Sequence, residues 1–125
     1  MSVDDVLARS DVVSLHVPLN GETRQMFGAD HFGRMRPGAL LINTSRGEIV
    51  DETALLNALE DGPLGGAALD VVDDETGWHV DRPLARFAAS DTRLIITPHI
   101  AGCAREAMEA TEDFVAGRLL EALRS

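Results

Sequence analysis

The sequence predicts an α/β domain built on a parallel sheet. Three observations predict it. Apolar runs at 11 to 17, 38 to 43, 64 to 72 and 93 to 97 read as buried strands. Stretches with helical spacing separate them, and strands that alternate with helices give βαβ units. Each strand also ends abruptly at polar or turn residues. About four strands flanked by helices, with a long helix closing the chain, is the architecture expected.

The elements follow in order. "SVDDVLARSD" reads as a short helix, with Ser2 as its cap and Val3, Val6 and Leu7 on one face. "DVVSLHV", 11 to 17, is the first strand, halted by Pro18 and the turn chemistry of "PLNGET". Residues 29 to 35 form a brief helix ended by Pro37-Gly38, and "GALLIN", 38 to 43, is the second strand. "VDETALLNALEDG", 50 to 62, is the clearest helix. Asp51 caps it, Leu55, Leu56 and Leu59 form its stripe, and Gly62-Pro63 stop it. "LGGAALDVV", 64 to 72, is the third strand, with small residues for close packing. Residues 73 to 92 are a long polar connection containing Trp78 and a helical turn at 83 to 89. "RLIIT", 93 to 97, is the fourth strand. Residues 103 to 123 form one amphipathic helix, with Met108, Phe114, Val115, Leu119 and Leu120 as apolar positions.

The totals set limits on function. At 125 residues the chain is one domain or part of a larger one. Its net charge is −10 and every basic residue is Arg. Such an acidic chain suits neither the phosphate backbone of nucleic acid nor an anionic membrane surface. An anionic small molecule would need a local positive charge against this background. Cys103 is alone, which rules out an internal disulfide or a cysteine metal cluster, and a small buried residue is expected there. No metal site is expected. The start has no apolar run, and no stretch approaches a membrane span, so a cytoplasmic location is the expectation.

In a parallel sheet the carboxyl ends of all strands lie on one edge, where ligands bind in open α/β folds. Here that edge collects His16, Thr44, Ser45, Arg46, Asp70, Glu75 and His99. Arg46 is a planar fork able to bind a carboxylate through two hydrogen bonds. His99 suits general acid/base work, because an unperturbed imidazole titrates near neutrality. A neighbouring Glu75 would orient its ring. Asp70 would accept hydrogen bonds, for instance from a ligand amide. His16 is expected to be structural, and His31 and His79 to lie at the surface.

At these residues the chain resembles the D-isomer-specific 2-hydroxyacid dehydrogenase family. The matching segments are "SDVVSLHVPLNGETRQMFGADHFGRMRPGALLINTSRGEIVDETALLNALEDG", "GGAALDVVDDE" and "ITPHIAG", in the family's order. "NTSRGEIVDE", with the Asp of "LDV" 24 residues after its Arg and then "PHIAG", is a specific combination. The resemblance implies a partial Rossmann-like domain and an oxidoreductase that moves a hydride between a nicotinamide and a 2-keto or 2-hydroxy acid. It implies that Arg46 binds the substrate carboxylate, that Glu75 supports His99, and that His99 is the acid/base. It assigns the nicotinamide carboxamide to Asp70. Backbone near Val17, at Thr44, Ser45 and Arg46, and at His99, Ile100, Ala101 and Gly102 would line the nicotinamide half of the cofactor. That cofactor is NAD, with NADP left open.

Two departures accompany the resemblance. Thr76 stands where the family has Pro after the catalytic Glu, which bears on substrate choice. The family's Gly-x-Gly-x-x-Gly fingerprint and the acidic residue for the adenosine ribose are absent, as is the substrate domain. Residues 1 to 125 are therefore expected to be the C-terminal half of a dinucleotide-binding domain, as a truncated or split chain. The first strand would then expose an edge open to a second copy or a partner chain supplying the missing half. The other reading is a non-catalytic remnant or interaction module that keeps the fold.

Overall fold

The computed structural model describes residues 2 to 124. Nine elements alternate. They are α1 (Val3–Arg9), β1 (Val12–Leu15), α2 (Ala29–Arg34), β2 (Leu40–Asn43), α3 (Glu52–Glu60), β3 (Gly66–Leu69), α4 (Pro83–Ser90), β4 (Leu94–Ile96) and α5 (Arg105–Arg124). The strands form one parallel sheet in the order β1-β2-β3-β4. The expected α/β architecture with a parallel four-stranded sheet and a long closing helix is what the chain adopts.

Local chemistry explains the boundaries. Ser2 and Asp5 form a reciprocal capping box: Asp5 N–H donates to Ser2 Oγ at 3.1 Å, and Ser2 N–H donates to Asp5 Oδ2 at 2.9 Å. Asp51 caps α3 by accepting from Thr53 N at 2.9 Å and Ala54 N at 3.0 Å. Gly38 turns the chain into β2 at φ 81°, a left-handed setting that costs glycine little. The strands are shorter than their apolar runs. β1 stops at Leu15, so His16 and Val17 lie past it, and β3 stops at Leu69, so Asp70 is the first residue beyond the ladder. The helical turn expected at 83 to 89 is a full helix to Ser90 with Pro at its start, where the missing N–H costs nothing.

The helices between strands cover one face of the sheet. Val13, Leu15, Leu41, Ala67, Leu69 and Leu94 point into that face and are buried. They meet Phe27 and Phe32 around α2, Leu55 and Leu59 of α3, and Leu84 of α4. The opposite face, carrying Val12, Leu40 and Ile95, is open to water. Every described residue of α5 is exposed. The amphipathic helix therefore forms as expected, with Met108, Phe114, Val115, Leu119 and Leu120 facing solvent. Among the described residues, no helix is long and apolar enough to cross a membrane.

Candidate active site

The polar residues at the carboxyl edge sort into three groups. The first hangs on Asn43, the last residue of β2, whose side chain is buried. Its Nδ2 donates to the Arg46 carbonyl at 2.9 Å, and its Oδ1 accepts from Ser45 N at 3.0 Å. Ser45 Oγ donates to the Leu15 carbonyl at 2.7 Å, tying this turn to the end of β1. Thr44 and Arg46 are left exposed, and Arg46 Nη1 donates back to the Ser45 carbonyl at 2.6 Å. The turn then tightens into a 3₁₀ segment at Gly47–Ile49. A Cβ on Gly47 would stand 1.9 Å from the Val72 carbonyl carbon, so only glycine lets the turn touch the chain leaving β3.

The second group centres on Asp70, buried directly after β3. Its carboxylate accepts from the Thr97 hydroxyl, from Ile100 N at 3.0 Å and from Ala101 N at 2.7 Å. Burial pushes this carboxyl up, but the hydrogen bonds from Thr97, Ala101 and Ile100 and the nearby His99 outweigh it, so it titrates below its ordinary value. Asp70 thus holds the turn after β4 in one conformation. That turn carries His99 at φ 54°, a left-handed setting unusual for a residue with a side chain.

The third group is the pair itself. His99 Nδ1 lies 2.9 Å from Glu75 Oε2, with the two side chains 46% and 40% exposed. Glu75 opens a short 3₁₀ turn, Glu75–Gly77, whose preceding residue Asp74 is left-handed and caps the turn by accepting from Gly77 N at 3.2 Å. With Nδ1–H pointed at a carboxylate, the ring presents Nε2 as its working nitrogen. This pair can hold and move a proton at one defined atom.

Two cavities flank Asp70. One, of about 550 Å³, is lined by His99, Glu75, Trp78, Ala85, Ala88 and Ile96. The other, of about 290 Å³, lies on the open sheet face between Ile42, Thr44, Ala68, Ile95, Ile100 and Ala101. Its lining is largely apolar, with Thr44, Asp70 and Thr97 as the polar members.

The structure therefore brings together His99 with Glu75, and Asp70 with Ile100 and Ala101. Among the described residues no hydrogen bond or ion pair links Arg46 to these groups. Val17 packs half-buried against the core, and Gly102 is exposed beside the turn. His16 pairs with Ser14 at 2.8 Å. Cys103 is exposed, not buried as expected, because the chain leaves the sheet there toward an uncovered helix. His31 is half-buried, its ring stacked 5.2 Å from Phe27, instead of free at the surface. Sequence reasoning passed over Asn43 and Thr97. Both are polar residues at the ends of apolar strands, and that position was the available signal.

Comparison with known proteins shows the family. Residues 1–101 match the family model described as D-isomer specific 2-hydroxyacid dehydrogenase, NAD binding domain. The chain is 42% identical over 126 residues to a glycerate dehydrogenase from Methylorubrum extorquens, covering 94% of this chain and 39% of that protein. It is 45% identical over 122 residues to a D-3-phosphoglycerate dehydrogenase from Escherichia coli, covering 95% of this chain and 29% of that protein. A D-isomer specific 2-hydroxyacid dehydrogenase from Lactobacillus delbrueckii, solved in an NAD-complexed form, superposes with a TM-score of 0.83 at 33% identity, covering 97% of this chain and 39% of that chain. The chain thus spans well under half the length of these relatives.

Proposed function

Because this chain belongs to the D-isomer specific 2-hydroxyacid dehydrogenase family, we propose that it supplies the nicotinamide and acid/base part of an NAD-dependent oxidoreductase acting on a small 2-keto or 2-hydroxy acid. The observation that carries this reading is the His99–Glu75 pair at 2.9 Å, set at the carboxyl edge of a parallel sheet.

The residues take the following roles. His99 Nε2 hydrogen-bonds the substrate carbonyl and gives the proton during reduction; in the reverse direction the neutral ring takes it back. Glu75 fixes the ring's orientation and offsets the charge on the protonated form. Arg46 keeps N–H donors beyond the one spent on Ser45, and these bind the substrate carboxylate. Asp70 acts through the turn it holds, presenting Ile100, Ala101 and Gly102 beside the smaller cavity. Thr44 lines the same cavity, and backbone at Ser45 and near Val17 would meet the cofactor beyond it. When bound there, NAD or NADP carries the hydride that the reaction transfers.

In this reading residues 1 to 125 are the C-terminal half of a dinucleotide-binding domain. Contacts to the pyrophosphate, the adenosine and the substrate's far side come from sequence outside these residues or from a partner, a second copy included.

Titration of the purified chain with NADH, read by nucleotide fluorescence, tests the proposal. Saturable binding is expected, weakened at least about tenfold by Ala101→Trp, which fills the smaller cavity. A folded chain that binds no NADH, either alone or with the sequence that supplies the pyrophosphate and adenosine contacts, would sink it. The uncovered α5 favours the second reading, an interaction module, in that event.

A further inference from the structure

Glu52 is the first residue of α3, and none of the roles above uses it. Its side chain is only 18% exposed, and both oxygens are engaged. Oε1 accepts the backbone N–H of Asp73 at 2.8 Å, and Oε2 accepts Arg82 Nη2 at 3.0 Å. The same guanidinium gives Nη1 to the Asp73 carbonyl at 2.8 Å and stands 5.3 Å over the Trp78 ring. Asp73 and Arg82 are the first and last residues of the segment that carries Glu75. A single carboxylate therefore fastens both ends of that loop.

The loop needs the fastening. Glu75 and His99 are both substantially exposed, and an exposed ion pair is too weak to hold a whole loop against its conformational entropy. Asp74 sits beside Glu75 in a left-handed conformation, which persists only where the surroundings impose it. The contact of Gly47 with Val72 fixes where the loop begins but not where it returns. Its return is set at Arg82, immediately before α4, and Arg82 is oriented by Glu52.

We propose that Glu52 is a positioning residue for the acid/base pair: by clasping Asp73 and Arg82 together it fixes the loop where the Glu75 carboxylate reaches His99 Nδ1. The inference rests on the reading of His99 as the proton-handling group. It adds a residue on α3, with no hydrogen bond to His99 among the described residues, on which that group's orientation depends.

The test is nuclear magnetic resonance on the full ¹⁵N-labelled chain, following two signals: hydrogen exchange of the amides from 73 to 82, and the His99 Nδ1–H proton held by Glu75. Trp78 is the chain's single tryptophan and lies in the loop, so its quenching by acrylamide is a third, independent readout. In Glu52→Gln the loop amides should exchange at least about tenfold faster while those of β2 and β3 keep their protection. The Nδ1–H signal should fade as it does in Glu75→Ala. Arg82→Lys keeps the charge but loses the fork, and should give an intermediate loosening. Wild-type exchange in Glu52→Gln overturns the proposal. So does a loosened loop in which the Nδ1–H signal persists, or a wild-type chain without that signal. If Glu52→Gln does not fold, Arg82→Lys decides: a loosened loop supports the clasp, and wild-type behaviour overturns it. Neither signal needs cofactor or turnover. Failure of NADH binding therefore removes the dehydrogenase reading alone, and a wild-type loop in Glu52→Gln removes this one alone.

Discussion

Leu40 and Leu41 are neighbours on one strand and identical in chemistry, yet they live in different solvents. Leu41 is 0% exposed among the helices, and Leu40 is 44% exposed on the open face. The same split runs across the sheet: Val13 against Val12 in β1, and Leu94 against Ile95 in β4. Apolar residues on both faces are the mark of a sheet covered on both sides. Among the described residues the helices cover one face and leave the other open.

The largest effect expected from this comparison is at Leu41. Leu41→Ala removes a fully enclosed side chain and should cost about 2–5 kcal/mol of unfolding free energy in urea denaturation. Leu40→Ala, one residue away, should stay within about 0.5 kcal/mol. If the two variants lose comparable stability, the open face is covered in solution and the contrast between the faces disappears.

A smaller effect is expected at the edge where the two faces meet. Asp70 lies between the two cavities and satisfies the Thr97 hydroxyl and two backbone N–H groups. Asp70→Ala leaves these donors without their acceptor, at a cost on the order of 1–3 kcal/mol. The exchange of Ile100 and Ala101 amides should rise sharply, while Asn43→Ala should loosen residues 44 to 46 instead. Loosening of both turns by either change would show one network where the structure has two.

How much of this was legible beforehand follows the same division. The alternation of apolar runs and helical spacing was enough for the parallel sheet, and Asp51 and Ser2 announced their helices as caps. His99 and Glu75, 24 residues apart, were paired by resemblance, and the fold brings them to 2.9 Å. What could not be read was which face of each strand is covered. "ALLIN" is apolar at both Leu40 and Leu41, and periodicity is silent when every position is apolar. Nor could the internal partners of Asp70 be read, because a carboxylate at a strand end serves a ligand or its own backbone equally well. The exposure of Cys103 and of α5 was hidden for a related reason. An amphipathic pattern states that a helix has an apolar side, and not what meets it.

The smallest expected effect is in acid, where Asp70 and Glu52 should pull in opposite directions. Asp70 titrates below its ordinary 3.8, so it stabilises the fold above that pH, and the contribution is lost as pH falls through its folded value. Glu52 titrates above its ordinary 4.5. Burial raises it, and the hydrogen bond from Asp73 N and the charge of Arg82 only partly oppose the rise. For a raised carboxyl the sign reverses. The folded state holds the proton more tightly than the unfolded chain, so this contribution is fully present below 4.5 and is lost as pH climbs through the folded value. Urea midpoints followed upward from pH 4.5 should therefore rise less steeply in wild type than in Glu52→Gln, by a few tenths of a kcal/mol. Below 3.8, Asp70→Ala should lose less stability on acidification than wild type. If removing Glu52 makes the pH profile flatter instead, its carboxylate is held more comfortably charged than its burial implies, and the loop it clasps is tied by charge more than by shape.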